Sequence, residues 1–112
     1  MNAYTITRDA WKNLRAQTRV DLGFDRRQLR IETCKSGAGI VSRASVLQQT
    51  EDGASWTHAF GLAGGGDFSE RLSTVPGARC TEKALRTAHE AALRALPEIE
   101  ARARAHYATA TA

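Results

Sequence analysis

An apolar stripe in the last third of the chain restricts the folds open to this sequence more than any other feature. Its members are three or four residues apart, which is the spacing of one face of an α-helix. The stripe consists of Leu85, Ala88, Ala92, Leu96, Ile99, Ala103 and Tyr107. Thr81 is a suitable N-cap, and Pro97 lacks the backbone N–H that a helix interior needs. The sequence therefore predicts a long C-terminal helix kinked near Pro97, with Ala108–Ala112 as a frayed tail.

Alternation of polar and apolar residues in the middle of the chain predicts an antiparallel meander. Arg27–Lys35 alternates with a period of two, and Ile40–Gln49 resumes the pattern after a turn that contains two glycines. A third run, Ser55–Leu62, follows a second turn signal, and Asp67–Val75 is a candidate fourth strand. We therefore expect three to four strands in this part of the chain.

The N-terminal segment is predicted to be a short amphipathic helix over residues 8–19. Thr7 stands at an N-cap position, and Trp11 and Leu14 follow at helical spacing. The predicted fold class is α+β: this short N-terminal helix, an antiparallel meander of three to four strands, and the long C-terminal helix packed on one face of the sheet. With 112 residues, the chain is expected to form a single domain over residues 1–112.

The composition predicts a cytoplasmic binding module rather than an enzyme. No apolar run approaches the roughly 20 residues that cross a bilayer, so no membrane segment is expected. Cys34 and Cys80 lack the spacing of a zinc or redox motif, which favours two buried thiols. His58, His89 and His106 are scattered, so no metal site or cofactor is expected, although a cysteine–histidine pair assembled in space stays open.

Positive charge is concentrated in the N-terminal third and near the start of the C-terminal helix. The chain carries 16 Lys and Arg against 12 Asp and Glu, and residues 8–43 alone carry nine cations and four anions. Arginine grips phosphate with a planar fork, and a basic surface attracts polyanions. The candidate nucleic-acid-binding residues are Arg8, Lys12, Arg15, Arg19, Arg79, Lys83 and Arg86.

The predicted order of a helix, three strands and a long helix resembles the double-stranded-RNA-binding domain. The similarity covers about residues 45–95. Thr81–Arg86, with the alanines that follow, is similar to the basic start of the family's last helix. Gly53 followed by Phe60 is similar to the family's loop glycine and the strand phenylalanine seven residues later.

This resemblance implies duplex binding by shape. Lys83 and Arg86 would contact phosphates across the major groove, and the Gly53–His58 loop would enter a minor groove. The chain departs from the family where Glu82 replaces a lysine and where the loop lacks its proline. In this register Arg27–Ser42 is an extra strand between the first helix and the family's first strand.

Three hypotheses about function follow from the sequence. The first is a small basic module that contacts the nucleic-acid backbone, a duplex in particular, through the first helix and the start of the long helix. The alternative is a phage- or plasmid-type regulatory protein, of the anti-CRISPR or anti-restriction class, that inhibits a protein partner through an exposed sheet edge. The third is a homodimer formed through the C-terminal helix, because its apolar stripe extends past Pro97 further than one sheet face is expected to cover.

Overall fold

The chain folds as an antiparallel sheet followed by two helices. The computed structural model describes residues 4–23, 26–37, 39–58, 68–77 and 79–109. The strands are β1 (Thr5–Arg8), β2 (Leu14–Asp21), β3 (Arg27–Ser36), β4 (Gly39–Gln49), β5 (Trp56–His58) and β6 (Ser69–Val75), and the helices are α1 (Glu82–Leu93) and α2 (Leu96–Thr109). The sheet order begins β1-β2-β3-β4, and both β5 and β6 pair with β4. β6 lies beside residues 40–45 of β4, and β5 lies beside residues 47–49.

The predicted N-terminal helix over residues 8–19 is wrong, because this segment belongs to a β-hairpin. β1 and β2 pair antiparallel, and the turn between them is closed by the Asp9 carboxylate, which accepts from the backbone N–H groups of Trp11 and Asn13, both at 2.9 Å. Trp11 is 84% exposed at the tip of this turn and packs on no helix face. In β2, the buried side chains are two residues apart. The helical spacing of a few apolar residues in this segment is therefore coincidental. The segment folds as a strand in which buried residues recur every second position.

The predicted order of helix, meander and helix is consequently wrong for the whole chain. β3 and β4 lie where the alternation predicted strands, and the fourth candidate contains β6. Of the third predicted strand, residues 56–58 form β5, and residues 59–62 lie outside the described residues. The long helix is divided at residues 94 and 95, just before Pro97, into α1 and α2. α2 continues to Thr109, and residues 110–112 of the predicted frayed tail are not described.

Both helices pack on the same face of the sheet, and the start of α1 is fixed as the sequence predicts. Thr81 caps α1, because its hydroxyl accepts from the backbone N–H of Ala84 at 3.1 Å. The stripe of α2 is buried against strand residues such as Ile31 and Val46. α2 is further tied to the sheet by Arg102, whose Nε donates to both carboxylate oxygens of Glu70 at 3.0 and 3.1 Å. Within the described residues the chain buries this stripe itself, so the stripe gives no support to a homodimer, which stays a prediction from the sequence.

A polar network crosses the core beneath α1. His89 is fully buried, and its two ring nitrogens lie 2.8 Å from the Thr18 hydroxyl and 2.7 Å from the Thr33 hydroxyl. Thr33 is in turn hydrogen-bonded to the Ser42 hydroxyl at 2.8 Å. The network therefore links α1 to β2, β3 and β4, and Tyr4 of the N-terminal segment stacks at a tilt on the His89 ring. Burial lowers the pKa of His89 to about 4, so the imidazole is neutral at pH 7.

The described part of the chain has no helix with the length and apolar character needed to cross a membrane. The face of the sheet opposite α1 and α2 has no described helix over it. Its side chains are mostly polar and charged, as expected for one solvated face of an antiparallel sheet. This uncovered face is therefore a candidate binding surface.

Candidate nucleic-acid interface

Four arginines form a diagonal row across the uncovered face, which we call the arginine band. The band consists of Arg19 on β2, Arg30 on β3, Arg43 on β4 and Arg71 on β6. In the register of the sheet, Arg19 is directly opposite Arg30, and Arg43 is directly opposite Arg71. Residues in such positions have Cα atoms about 5 Å apart. Arg30 and Arg43 are diagonal neighbours, because Arg30 faces Ser45, two residues beyond Arg43 on β4.

The band brings like charges together, and its one acidic neighbour among the described residues is Glu32, which lies opposite Arg43. Nε of Arg19 donates to the Gln17 side chain at 2.7 Å, and Nε of Arg30 donates to the Gln28 side chain at 2.8 Å, so both partners are neutral. Burial, and then the neighbouring Arg19, lower the pKa of Arg30, whereas the nearby Glu32 acts in the opposite direction. Within the described residues, none of the four band arginines forms a salt bridge. Like charges directly opposite one another destabilise a sheet, so this arrangement opposes folding when nothing is bound.

A partly exposed tryptophan lies beside the band. Trp56 on β5 is opposite Gln49 of β4, and the guanidinium carbon of Arg30 lies 5.1 Å from the centre of its ring. The residue is 36% exposed. Aromatic rings and guanidinium planes are the groups on which unpaired nucleic-acid bases stack. The uncovered face thus offers cations for phosphates and, next to them, a stacking surface.

Two described carboxylates lie on this face, and one of them, Glu32 on β3, is directly opposite Arg43 in the register of the sheet. Glu32 lies 3.5 Å from Nη1 of Arg15, at the side of the band nearer the β1–β2 turn. Asp21, at the end of β2, accepts from the backbone N–H of Gly23 at 2.8 Å. Glu32 therefore offsets part of the charge beside Arg43, and the four arginines of the band still leave a net positive charge on this face.

A second basic feature lies at one end of the sheet, and we call it the basic groove. Three turns meet the start of α1 there and enclose a volume of about 590 Å³. Four cations line the groove: Arg8 and Lys12 of the β1–β2 hairpin, Lys35 at the end of β3, and Arg79 before α1. Among the described lining residues Glu82 is the one carboxylate, and its Oε1 lies 3.5 Å from Nη2 of Arg86 outside the groove.

The seven residues predicted from the sequence are divided among three places. Arg8, Lys12 and Arg79 come together in the basic groove. Arg15 and Arg19 lie on β2, where Arg15 is paired with an acid and Arg19 belongs to the arginine band. The remaining two are on the first turns of α1. There Lys83 is exposed, and Arg86 bonds to Glu82 and to the Tyr4 hydroxyl.

Sequence reasoning missed four cations that the structure brings into these sites: Arg30, Arg43, Arg71 and Lys35. For Arg30 a signal was present, since it alternates with the buried Leu29 and Ile31 and so must face away from the helices. The pairing of Arg43 with Arg71 follows a register shift next to Arg43, which no local pattern announces. The groove, in turn, depends on four segments that only the complete fold brings together.

The cysteines are partly buried free thiols, and burial raises the pKa of Cys34. Among the described residues, no group of three or more His, Cys, Asp or Glu side chains is arranged to hold a metal ion. His89 is a core residue whose two ring nitrogens are both engaged by threonines. The groups of the described surface that can bind a ligand are therefore mainly its arginines and lysines.

No family model, no curated protein and no solved structure matches this chain. The resemblance of residues 45–95 to the double-stranded-RNA-binding domain accordingly stays a prediction from the sequence. The arginine band and the basic groove are therefore the main indications of function.

Proposed function

We propose that this protein binds single-stranded nucleic acid along the arginine band. One observation carries the proposal: two arginine pairs lie directly opposite each other on neighbouring strands, and the one described carboxylate in register with them, Glu32, forms its salt bridge with Arg15. Such pairs weaken a sheet that stays unbound. Binding of a polyanion would replace this repulsion with a net attraction, because each phosphate placed between two guanidinium groups attracts both.

The shape and chemistry of the face favour single strands over a duplex. The face belongs to a sheet, and the ring of Trp56 is partly exposed on it beside Arg30. A duplex keeps its bases stacked inside, whereas a single strand can place a base on an aromatic ring while its phosphates follow a row of cations. The proposal therefore replaces the duplex predicted from the sequence with an unpaired strand.

The test is the anisotropy of a labelled oligonucleotide, measured over a range of salt concentrations. Contact with about four phosphates predicts a slope of about −3 in a plot of log K against log salt, because a single strand contributes about −0.7 per phosphate. Arg43→Gln removes one band cation and should make the slope shallower by about 0.7. Arg94→Gln is the matched control, since Arg94 is exposed between the two helices on the covered side of the molecule. It should leave the slope unchanged.

Stacking is tested separately with Trp56→Ala. Loss of one stacked base costs about 1–3 kcal/mol, so the single strand should bind at least about fivefold more weakly, while residual duplex binding changes little. Absence of single-strand binding at low ionic strength, or an equal effect of Arg43→Gln and Arg94→Gln, would contradict the proposal.

The alternative predicted from the sequence, inhibition of a protein partner, becomes the favoured function if no nucleic acid binds. Its natural surface is β6, which among the described strands pairs with β4 alone and ends at Val75, a residue that is 43% exposed. A strand with one open edge can accept a strand from a partner. A partner that stays bound to the wild-type protein at high salt, and that a proline at Ser73 displaces, would then replace the nucleic-acid proposal.

A further inference from the structure

We infer that the basic groove is a separate binding site for the diphosphate or triphosphate group of a nucleotide. The inference goes beyond the proposed function, because it rests on different residues at a different end of the sheet. The ligand chemistry is a compact phosphate group with at least two negative charges. Its source is either a free nucleotide or the phosphorylated end of a strand, and the experiment below separates the two.

Two cations of the groove lie on the helix-covered face of the sheet, beyond the part of that face that α1 covers. Arg8 follows Tyr4 and Ile6 at intervals of two residues, and both of these pack against the core. Lys35 likewise follows the buried Thr33 on β3. The side chains of Arg8 and Lys35 therefore lie on the helix-covered face, just beyond the start of α1. The sheet therefore presents positive charge on this face just beyond the region that α1 covers.

The β1–β2 turn holds two of these cations in fixed positions. Nη1 of Arg8 donates to the backbone carbonyl of Lys12 at 2.7 Å. Lys12 itself has φ +64°, a backbone conformation that residues other than glycine seldom adopt. The Asp9 carboxylate is occupied by two backbone N–H groups of the turn, so this acid holds the turn in shape. The turn thus keeps its cations beside the groove at the expense of local strain.

The charge balance of the groove calls for an anion with more than one charge. Lys35 at the end of β3 and Arg79 in the connection before α1 complete the set, so four cations face one carboxylate among the described lining residues. That carboxylate, Glu82, has Arg86 as a nearby partner. A volume of about 590 Å³ lies within the range of small-ligand sites. A single chloride or acetate would leave most of this charge unbalanced, whereas a diphosphate would neutralise most of it.

An exposed aromatic ring next to the groove points to a nucleotide rather than to inorganic diphosphate. Trp11 directly precedes Lys12 in the turn and is 84% exposed. Its ring is therefore accessible to a planar ligand. A base stacked on this ring would add affinity that the phosphate group alone does not provide.

The experiment is calorimetric titration of the protein at low ionic strength with pyrophosphate, with ADP and with inorganic phosphate. We expect saturable binding in which ADP binds most tightly and phosphate most weakly. Lys35→Gln and Arg79→Gln should each weaken ADP binding at least about tenfold, since each removes a charge-assisted contact. Lys83→Gln is the matched control: it removes the same charge from the first turn of α1 but outside the groove. Trp56→Phe leaves Trp11 as the sole tryptophan, whose fluorescence should respond to ADP.

The two ligand sources are separated with oligonucleotides that carry either a phosphate or a hydroxyl at the 5′ end. A preference for the phosphorylated end that disappears in Lys35→Gln identifies a strand end, and equal binding of the two identifies a free nucleotide. No heat with pyrophosphate and ADP, or equal weakening by Lys83→Gln and Lys35→Gln, would overturn the inference. Arg43→Gln should leave ADP binding intact, so failure of the arginine band and failure of the groove give different results.

Discussion

Acidification is expected to weaken the folded state mainly through His89 as the pH falls from 7.5 to 5. The imidazole is fully buried between two threonine hydroxyls, and its pKa in the folded protein is about 4. In the unfolded chain a histidine has a pKa of about 6.5. Between these two values the unfolded state binds one proton more than the folded state, so stability falls as the pH is lowered.

The two pKa values give the size of the effect. Stability should fall by about 2 kcal/mol between pH 7.5 and pH 5, and by about 3 kcal/mol once the pH is below both pKa values. Above about pH 7 the contribution of His89 is constant, because neither state is protonated. Most carboxylates stay ionised above pH 5, so this window isolates the histidines.

The assay is urea unfolding of the wild type and of His89→Gln at several pH values in this window. The variant is less stable throughout, but its stability should change little with pH, so the difference between the two proteins should shrink by about 2 kcal/mol on acidification. His106→Gln is the control and should keep the wild-type dependence. NMR titration of the wild type gives an independent reading, since the His89 ring signals should not shift above about pH 5.5. Parallel pH profiles for wild type and His89→Gln, or a His89 titration near pH 6.5, would refute the reasoning.

Two further predictions concern the sheet. Thr33→Val keeps the shape of the side chain but removes the hydroxyl that bonds both His89 and Ser42, so urea unfolding should show a loss of about 1–3 kcal/mol. Thr7→Val, on an exposed position of β1, should stay within about 0.5 kcal/mol of the wild type, and equal losses would contradict the network. In Gly39→Ala the new Cβ would lie 2.5 Å from the Val75 carbonyl oxygen, so β4 and β6 must separate there and thermal melts should show a loss of about 2 kcal/mol or more. Gly37→Ala, at φ +59° with open space around it, should lose only about 1 kcal/mol, and the reverse order would disprove the close contact.

The elements with a clear period could be read from the sequence, and those that depend on partners far along the chain could not. In β3 burial alternates over the eight residues 27–34, and the Thr81 cap and the stripe of α1 have unambiguous signals. The N-terminal hairpin was missed because Trp11 and Leu14 suggested a helix, whereas the buried positions of β2 are the small or polar residues Ala16 and Thr18. Such residues give a weak strand signal until a partner strand buries them.

The same distinction applies to the sites. The excess of arginine was visible in the sequence, and three of the predicted cations do meet in the basic groove. The arginine band was not predictable, because it requires the register of four strands. Arg43 and Arg71 are far apart in sequence and face each other only through the pairing of β4 with β6. Local patterns determine which face a residue occupies, but not which residue lies opposite it.

The order of the elements along the chain has a consequence for synthesis. The ribosome makes the six described strands before it makes the two described helices that cover them. Until α2 is complete, the side chains of Leu29, Ile31 and Val46, which are fully buried in the native protein, lack their cover and remain available for contacts with other chains. Premature release of the nascent chain before Ile99 would therefore yield an aggregation-prone sheet, and chaperone dependence should be greatest in this interval of translation.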